Sequence, residues 1–175
     1  MDTTQIDYAL ISLLSRITRQ TLSPRDAKPS VVFLTALLSL LIGVAMADGT
    51  VEATEKAKLK KLLGRLLPQG SPMKELARSI AKGIQREQVY QKSDDFQALI
   101  APLSASERLL LLALGYEMAA VDGSANWVEI SYLSLVGGWL RIGNPQQSVL
   151  AAVFAGQSEA DSALKVQVEY LLRPE

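Results

Sequence analysis

The feature that most limits what this chain can fold into is an uncharged run of 17 residues, "VVFLTALLSLLIGVAMA", at positions 31–47. A helix made from it is apolar all round and has to be enclosed, either by lipid or by other helices. Spanning a bilayer takes roughly 17–25 residues, so the run sits at the short limit. Its flanks, Lys28 and Asp48, supply no basic cluster of the kind that orients a membrane segment. It also begins too far from the N-terminus for an ordinary secretory leader. A second leucine-rich stretch, "ERLLLLALGYEMAAV" at 107–121, has the same character but carries Glu107, Arg108 and Glu117. Related helices share an environment, and the second does not suit lipid. The expectation is therefore a core helix enclosed by protein, with membrane association through residues 31–47 as the alternative.

The remaining apolar positions recur at helical spacing, and runs of period two are missing. Ile6, Leu10, Leu13, Leu14 and Ile17 mark a helix over 4–21, followed by the loop "LSPRDAKP". Further helices are predicted over 30–47, 52–67 and 73–91, the last two separated by "PQGSP". A short helix over 94–101 precedes "SASE", where Ser104 and Glu107 form a capping box opening a helix that runs to 121. Helices over 127–141, 145–155 and 159–172 complete the chain. The fold class is all-α: a bundle of about seven to eight short helices joined by short loops, in a single domain over 1–175. At 49% hydrophobic residues, the chain has ample material for a core.

Cysteine and histidine are both absent. That removes thiol nucleophiles, thiolate metal sites, the commonest general base and the commonest transition-metal ligand. Any metal would be held by oxygen, which favours calcium, magnesium or manganese over zinc.

Within the helical pattern lies a repeat. At an offset of 74 residues, "ADG" (47–49) matches "VDG" (121–123), so Asp48-Gly49 pairs with Asp122-Gly123 and Glu55 with Glu129. The apolar frame follows: Leu37, Leu38, Leu40, Leu59 and Leu66 match Leu111, Leu112, Leu114, Leu133 and Leu140. The expectation is a duplicated core over 30–142, made of two helix–DG-turn–helix units, with flanking helices in 1–29 and 143–175. Much of each turn is ordinary helix punctuation. Glycine suits the left-handed residue beyond a helix end, and Glu129 can box with Asn126 at the start of the next helix. Asp48 and Asp122 do not fit that account, because an acid at a helix C-terminus meets the negative end of the macrodipole. A hydrogen-bond network, a basic side chain or a cation should compensate them. An EF-hand is not the answer. Aligning glycine and glutamate with its sixth and twelfth positions puts Val44 and Met46, or Met118 and Ala120, where ligands are needed.

The segments "MADGTVEATEKAKLKKLLGRL" and "AAVDGSANWVEISYLSLVGGWL" resemble the TerB-like family of tellurite-resistance proteins, over residues 30 to about 142. The resemblance implies a bundle of short helices with an internal pseudo-twofold, whose paired acids gather into a patch proposed to bind a divalent metal. Carried onto this chain, the patch consists of Asp48, Glu55, Asp122 and Glu129. Glu52 belongs to the first turn, but its counterpart is the neutral Asn126, so the second copy is less acidic. The candidate ion is calcium or magnesium. No other cofactor is expected.

Charge is distributed unevenly. Residues 56–92 carry ten Lys or Arg against two Glu, whereas 93–175 carry four against ten acids. Lys74, Arg78, Lys82 and Arg86 recur every fourth residue and form a slanted stripe along one helix. A solvated face is its simplest reading. The functional alternative is a surface for an acidic partner or an anionic membrane. With only Tyr90 nearby, stacking on single-stranded nucleic acid has no support, and no specific nucleic acid is expected. Three functions are open at this level. The first, implied by the resemblance, is a non-enzymatic module of the stress response, cytoplasmic or at the inner face of the membrane, working through protein partners. The second is a metal-dependent hydrolase using Asp48 and Asp122. The third is a membrane protein. No phosphate-cradling glycine loop or nucleophile–base constellation is visible, and the first is preferred.

Overall fold

The computed structural model describes residues 8–47, 49, 53–66, 72–120 and 127–154. Among them there is no strand. The helices are α1 (Tyr8–Thr18), α2 (Pro29–Ala45), α3 (Ala53–Leu66), α4 (Pro72–Glu87), α5 (Ser93–Ile100), α6 (Ala105–Ala120), α7 (Trp127–Trp139) and α8 (Asn144–Phe154). Single 3-10 turns lie at Pro24–Asp26 and Val89–Gln91. The all-α class and nearly every helix position agree with the sequence pattern. The helix expected over 159–172 lies outside the described residues.

α2 is the axis of the structure. Every residue from Leu34 to Ala45 is buried, and α3, α4, α5, α6 and α7 all pack on it. Its two polar side chains are satisfied within the helix: Thr35 Oγ1 donates to the Val31 carbonyl at 2.7 Å, and Ser39 Oγ to the Thr35 carbonyl at 2.8 Å. That self-sufficiency lets an uncharged run lie in the centre without stranded hydroxyls. The 17-residue run is thus a core helix, and no helix among the described residues is long and apolar enough to cross a membrane. Around it, one cluster of buried side chains extends from Leu10 on α1 to Leu150 on α8.

Close crossings depend on missing side chains. A Cβ on Gly43 of α2 would lie 1.9 Å from the Tyr132 hydroxyl, and one on Gly83 of α4 would lie 2.1 Å from the Ile17 carbonyl oxygen. The first glycine lets the α7 tyrosine lie across α2 and donate to the Tyr90 carbonyl at 3.0 Å. The second lets α4 meet the end of α1.

Helix ends explain the remaining boundaries. Ser104 and Glu107 form the expected box: Ser104 N–H donates to Glu107 Oε2 at 2.8 Å, and Glu107 N–H to Ser104 Oγ at 3.2 Å. A similar exchange joins Ser23 and Asp26 in the loop before α2, where Ser23 N–H and Oγ both donate to Asp26 Oδ2. The S-x-x-D spacing in "SPRD" was its signal. α4 ends at Glu87 rather than running to 91, because Gln88 takes a left-handed conformation (φ 53°). Arg141 does the same after α7 (φ 58°), with Ile142 N–H donating to the Gly137 carbonyl and Arg141 N–H to that of Gly138. That pairing is the Schellman pattern, here with arginine where glycine is commonest.

Candidate functional site

The first DG segment begins where α2 stops. The helix ends at Ala45, earlier than the 47 expected from sequence, and Met46 caps it. Gly49 lies three residues beyond that cap with φ 89°, its N–H donating to the Met46 carbonyl at 3.0 Å. The glycine therefore takes the left-handed conformation expected of it, in a turn following the helix and not at the helix end itself.

Asp48 and Asp122 lie outside the described residues, as do Glu52 and Asn126 with its expected capping box. Glu55 is in α3, but its side chain is outside the described set. Glu129 is described. It stands in the first turn of α7, where a negative charge faces the favourable end of the helix dipole. Its residue exposure is only 8%, unusual for a carboxylate, and it is not without a partner. Two residues earlier, Trp127 is 76% exposed at the start of the same helix. Among the described residues, no three of the side chains that commonly ligate metals come together.

On α4, the basic stripe is divided. Arg86 belongs to the fold: its Nη2 donates to the Arg16 carbonyl at 2.7 Å and the Ile17 carbonyl at 3.2 Å, and its Nε to Glu87 at 3.1 Å. It satisfies carbonyls that the end of α1 leaves open. Arg78 pairs with Glu75 at 2.7 Å on the surface, Lys82 is exposed and Lys74 half-buried. Sequence spacing could not reveal the Arg86 role, since its acceptors lie 70 and 69 residues away. The facing ion pair, Arg16 to Asp95 at 2.6 Å, ties α1 to α5 in the same region.

Two tyrosines are electrostatically distinct. Burial pushes the Tyr132 phenol well above its ordinary value, and the neighbouring Tyr90 adds to the shift. Burial also raises Tyr116, on α6. Both phenols are neutral across the physiological range; Tyr132 also serves as a hydrogen-bond donor.

Comparison with known proteins gives one result. A family model described as tellurite resistance protein TerB matches residues 34–151, a span that takes in both DG segments, Glu55 and Glu129. No curated protein and no solved structure matches the chain significantly.

Proposed function

The chain belongs to the TerB family, and from that premise we propose that it is a non-enzymatic helical module of the response to tellurite or metal stress, with an oxygen-ligand divalent-cation site at its paired DG turns. The observation that carries this reading is the family match itself, which spans both copies of the D-G-x(5)-E pattern. The donor set supports it chemically. Asp48, Glu55, Asp122 and Glu129 are all carboxylates, in a chain with no histidine or cysteine, and so suit a hard cation such as calcium or magnesium. Such an ion would neutralise acids that otherwise repel one another. The two matching turns, 74 residues apart, are natural arms of a pseudo-twofold site. In this reading the module works through protein partners in the cytoplasm or at the inner membrane face. Lys82, Arg78 and Lys74 offer an acidic partner or an anionic membrane its contact, while Arg86 stays with the fold.

Tryptophan fluorescence tests the cation site, because Trp127 is exposed beside the second DG segment. Millimolar calcium, magnesium or manganese should change its emission and raise the melting temperature, since a ligand that binds only the folded state stabilises it. Both responses should vanish in an Asp48→Asn, Asp122→Asn double variant. An unchanged melting temperature with all three ions removes the cation site. The same double variant, expressed under tellurite challenge, checks the stress role: protection by the parent chain, lost in the variant, is the expected outcome.

A further inference from the structure

Between the start of α6 and the end of α7, the structure contains a cavity of about 410 Å³. In sequence, the 16 residues of α6, about 24 Å of helix, lie between its start and the second DG segment. None of the residues lining the cavity belongs to the acidic turns. Its volume falls in the range of pockets that hold small organic ligands.

The lining has a definite chemistry. Leu103, Leu109, Leu140 and Ile142 supply apolar wall, while Arg108 and Arg141 supply two cations, and no lining residue is acidic. Arg108 is held in place: its Nε donates to the Leu103 carbonyl at 3.0 Å and its Nη2 to the Ala101 carbonyl at 3.2 Å. Those bonds leave Nη1 without an acceptor among the described residues. Arg141 has no carboxylate partner among them either. Ser106, in the first turn of α6, adds a hydroxyl and stands at the positive end of that helix. Glu107, next to Arg108 in sequence, is outside the lining and spends its carboxylate on Ser104. Gln146 closes the rim, its Oε1 already accepting from Gly143 N–H at 3.1 Å, so its amide NH₂ remains to donate. The lining thus combines two cations and polar donors with an apolar wall.

We propose that this cavity binds an amphiphilic anion, with a phosphate or carboxylate head between Arg108 and Arg141 and a short hydrocarbon body against Leu109, Leu140 and Ile142. Two guanidinium forks suit an oxyanion head, and the apolar wall sets the ligand apart from a simple inorganic ion. Such a head reaches the cavity either on a soluble metabolite or on a membrane lipid.

Calorimetric titration of the full chain with octyl phosphate and octanoate, below their micellar concentrations, and with inorganic phosphate tests the proposal. At least one of the two amphiphiles should bind about tenfold or more tightly than inorganic phosphate. Arg141→Gly should weaken that binding by about tenfold or more, the usual effect of losing one charge-assisted contact. That variant is chosen because the left-handed backbone at 141 accepts glycine without strain, so its melting temperature should hold. A parallel assay uses phosphatidylcholine vesicles with and without phosphatidic acid. Arg141-dependent capture by the anionic vesicles assigns the head to a lipid, and binding of the soluble probes without capture assigns it to a metabolite. No binding of either amphiphile, affinity equal to that of inorganic phosphate, or binding undiminished in Arg141→Gly overturns the proposal. None of these results depends on the DG-turn acids, so failure here and failure of the cation site are separable.

Discussion

α2 and α6 have matching leucine frames 74 residues apart, yet the fold uses them differently. α2 is enclosed continuously from Leu34 to Ala45 and carries no charge. α6 is enclosed from Leu111 to Tyr116, but its first two turns remain half-exposed and hold Glu107, Arg108, Leu109 and Leu110. The shared frame makes both of them core helices. What differs is the N-terminal end: α2 begins on Pro29 with no side-chain cap, whereas α6 begins on a capping box and opens onto a cavity. A repeated apolar frame therefore fixes where two helices bury themselves. The residues outside it decide which one is left open at its start.

The sharpest way to break this comparison is to place a charge at equivalent positions. Thr35 on α2 and Leu109 on α6 correspond at the offset of 74. Thr35 is fully buried, so Thr35→Lys strands an unpaired ammonium in the core and should cost more than about 4 kcal/mol, enough to prevent folding of many domains. Leu109→Lys can extend its ammonium to solvent and should cost roughly 1–2 kcal/mol. Equal losses in chemical denaturation would show that α6 is as enclosed at its start as α2.

Where the frames coincide in burial, the two helices should respond alike. Leu38 and Leu112 are both fully buried, and truncation of either to alanine should cost about 2–5 kcal/mol through lost transfer energy and residual cavity. A Leu112→Ala loss below about 1 kcal/mol would mean that the α6 core position is not equivalent. Gly43→Ala tests the close crossing of α2 with the α7 tyrosine. The added methyl would collide with the Tyr132 ring and hydroxyl, displacing α7 at a cost of about 1–3 kcal/mol. Combined with Tyr132→Ala the two losses should be less than additive, because the same contact is removed twice.

At the helix starts the expected effect is smaller. Ser104→Ala removes the α6 cap and should cost about 1 kcal/mol. Lys28→Ser gives α2 a residue able to cap, and should gain less than about 1 kcal/mol. Thermal denaturation of the two variants would measure how far the ends of these helices differ.

These differences explain what was legible in the sequence. Apolar periodicity, the proline and glycine breaks and the Ser104–Glu107 box are local signals, read within a few residues, and they place α1 to α8 closely. The DG glycine was right in conformation but not in position, since α2 stops at Ala45 while its apolar pattern runs on. Arg86 on the α1 carbonyls, Tyr132 across Gly43 and the arginine-lined cavity were not legible. Each joins elements far apart in sequence, and nothing in the local pattern of one partner specifies the other. The basic stripe illustrates the consequence: spacing put four cations on one helix face, and packing withdrew Arg86 to serve the fold.

A pH-dependent effect concerns the phenol that lies across α2. Tyr132 ionises above its ordinary value of 10.0 in the folded chain, because burial and the neighbouring Tyr90 disfavour its anion. From about pH 10 upward the unfolded chain therefore releases a proton that the folded chain keeps, and stability falls as pH rises. Tyr132→Phe removes this contribution. It should also cost about 1 kcal/mol at neutral pH, because the Tyr90 carbonyl loses its donor. Stability against pH for the variant should thus begin lower than for the parent chain and decline less steeply above pH 10, so that the gap narrows. Tyr116 still contributes to the remaining alkaline loss, since burial raises it too. Parallel curves above pH 10 would show that the Tyr132 phenol is as well solvated as in the unfolded chain, and that α7 does not seal the α2 surface at Gly43.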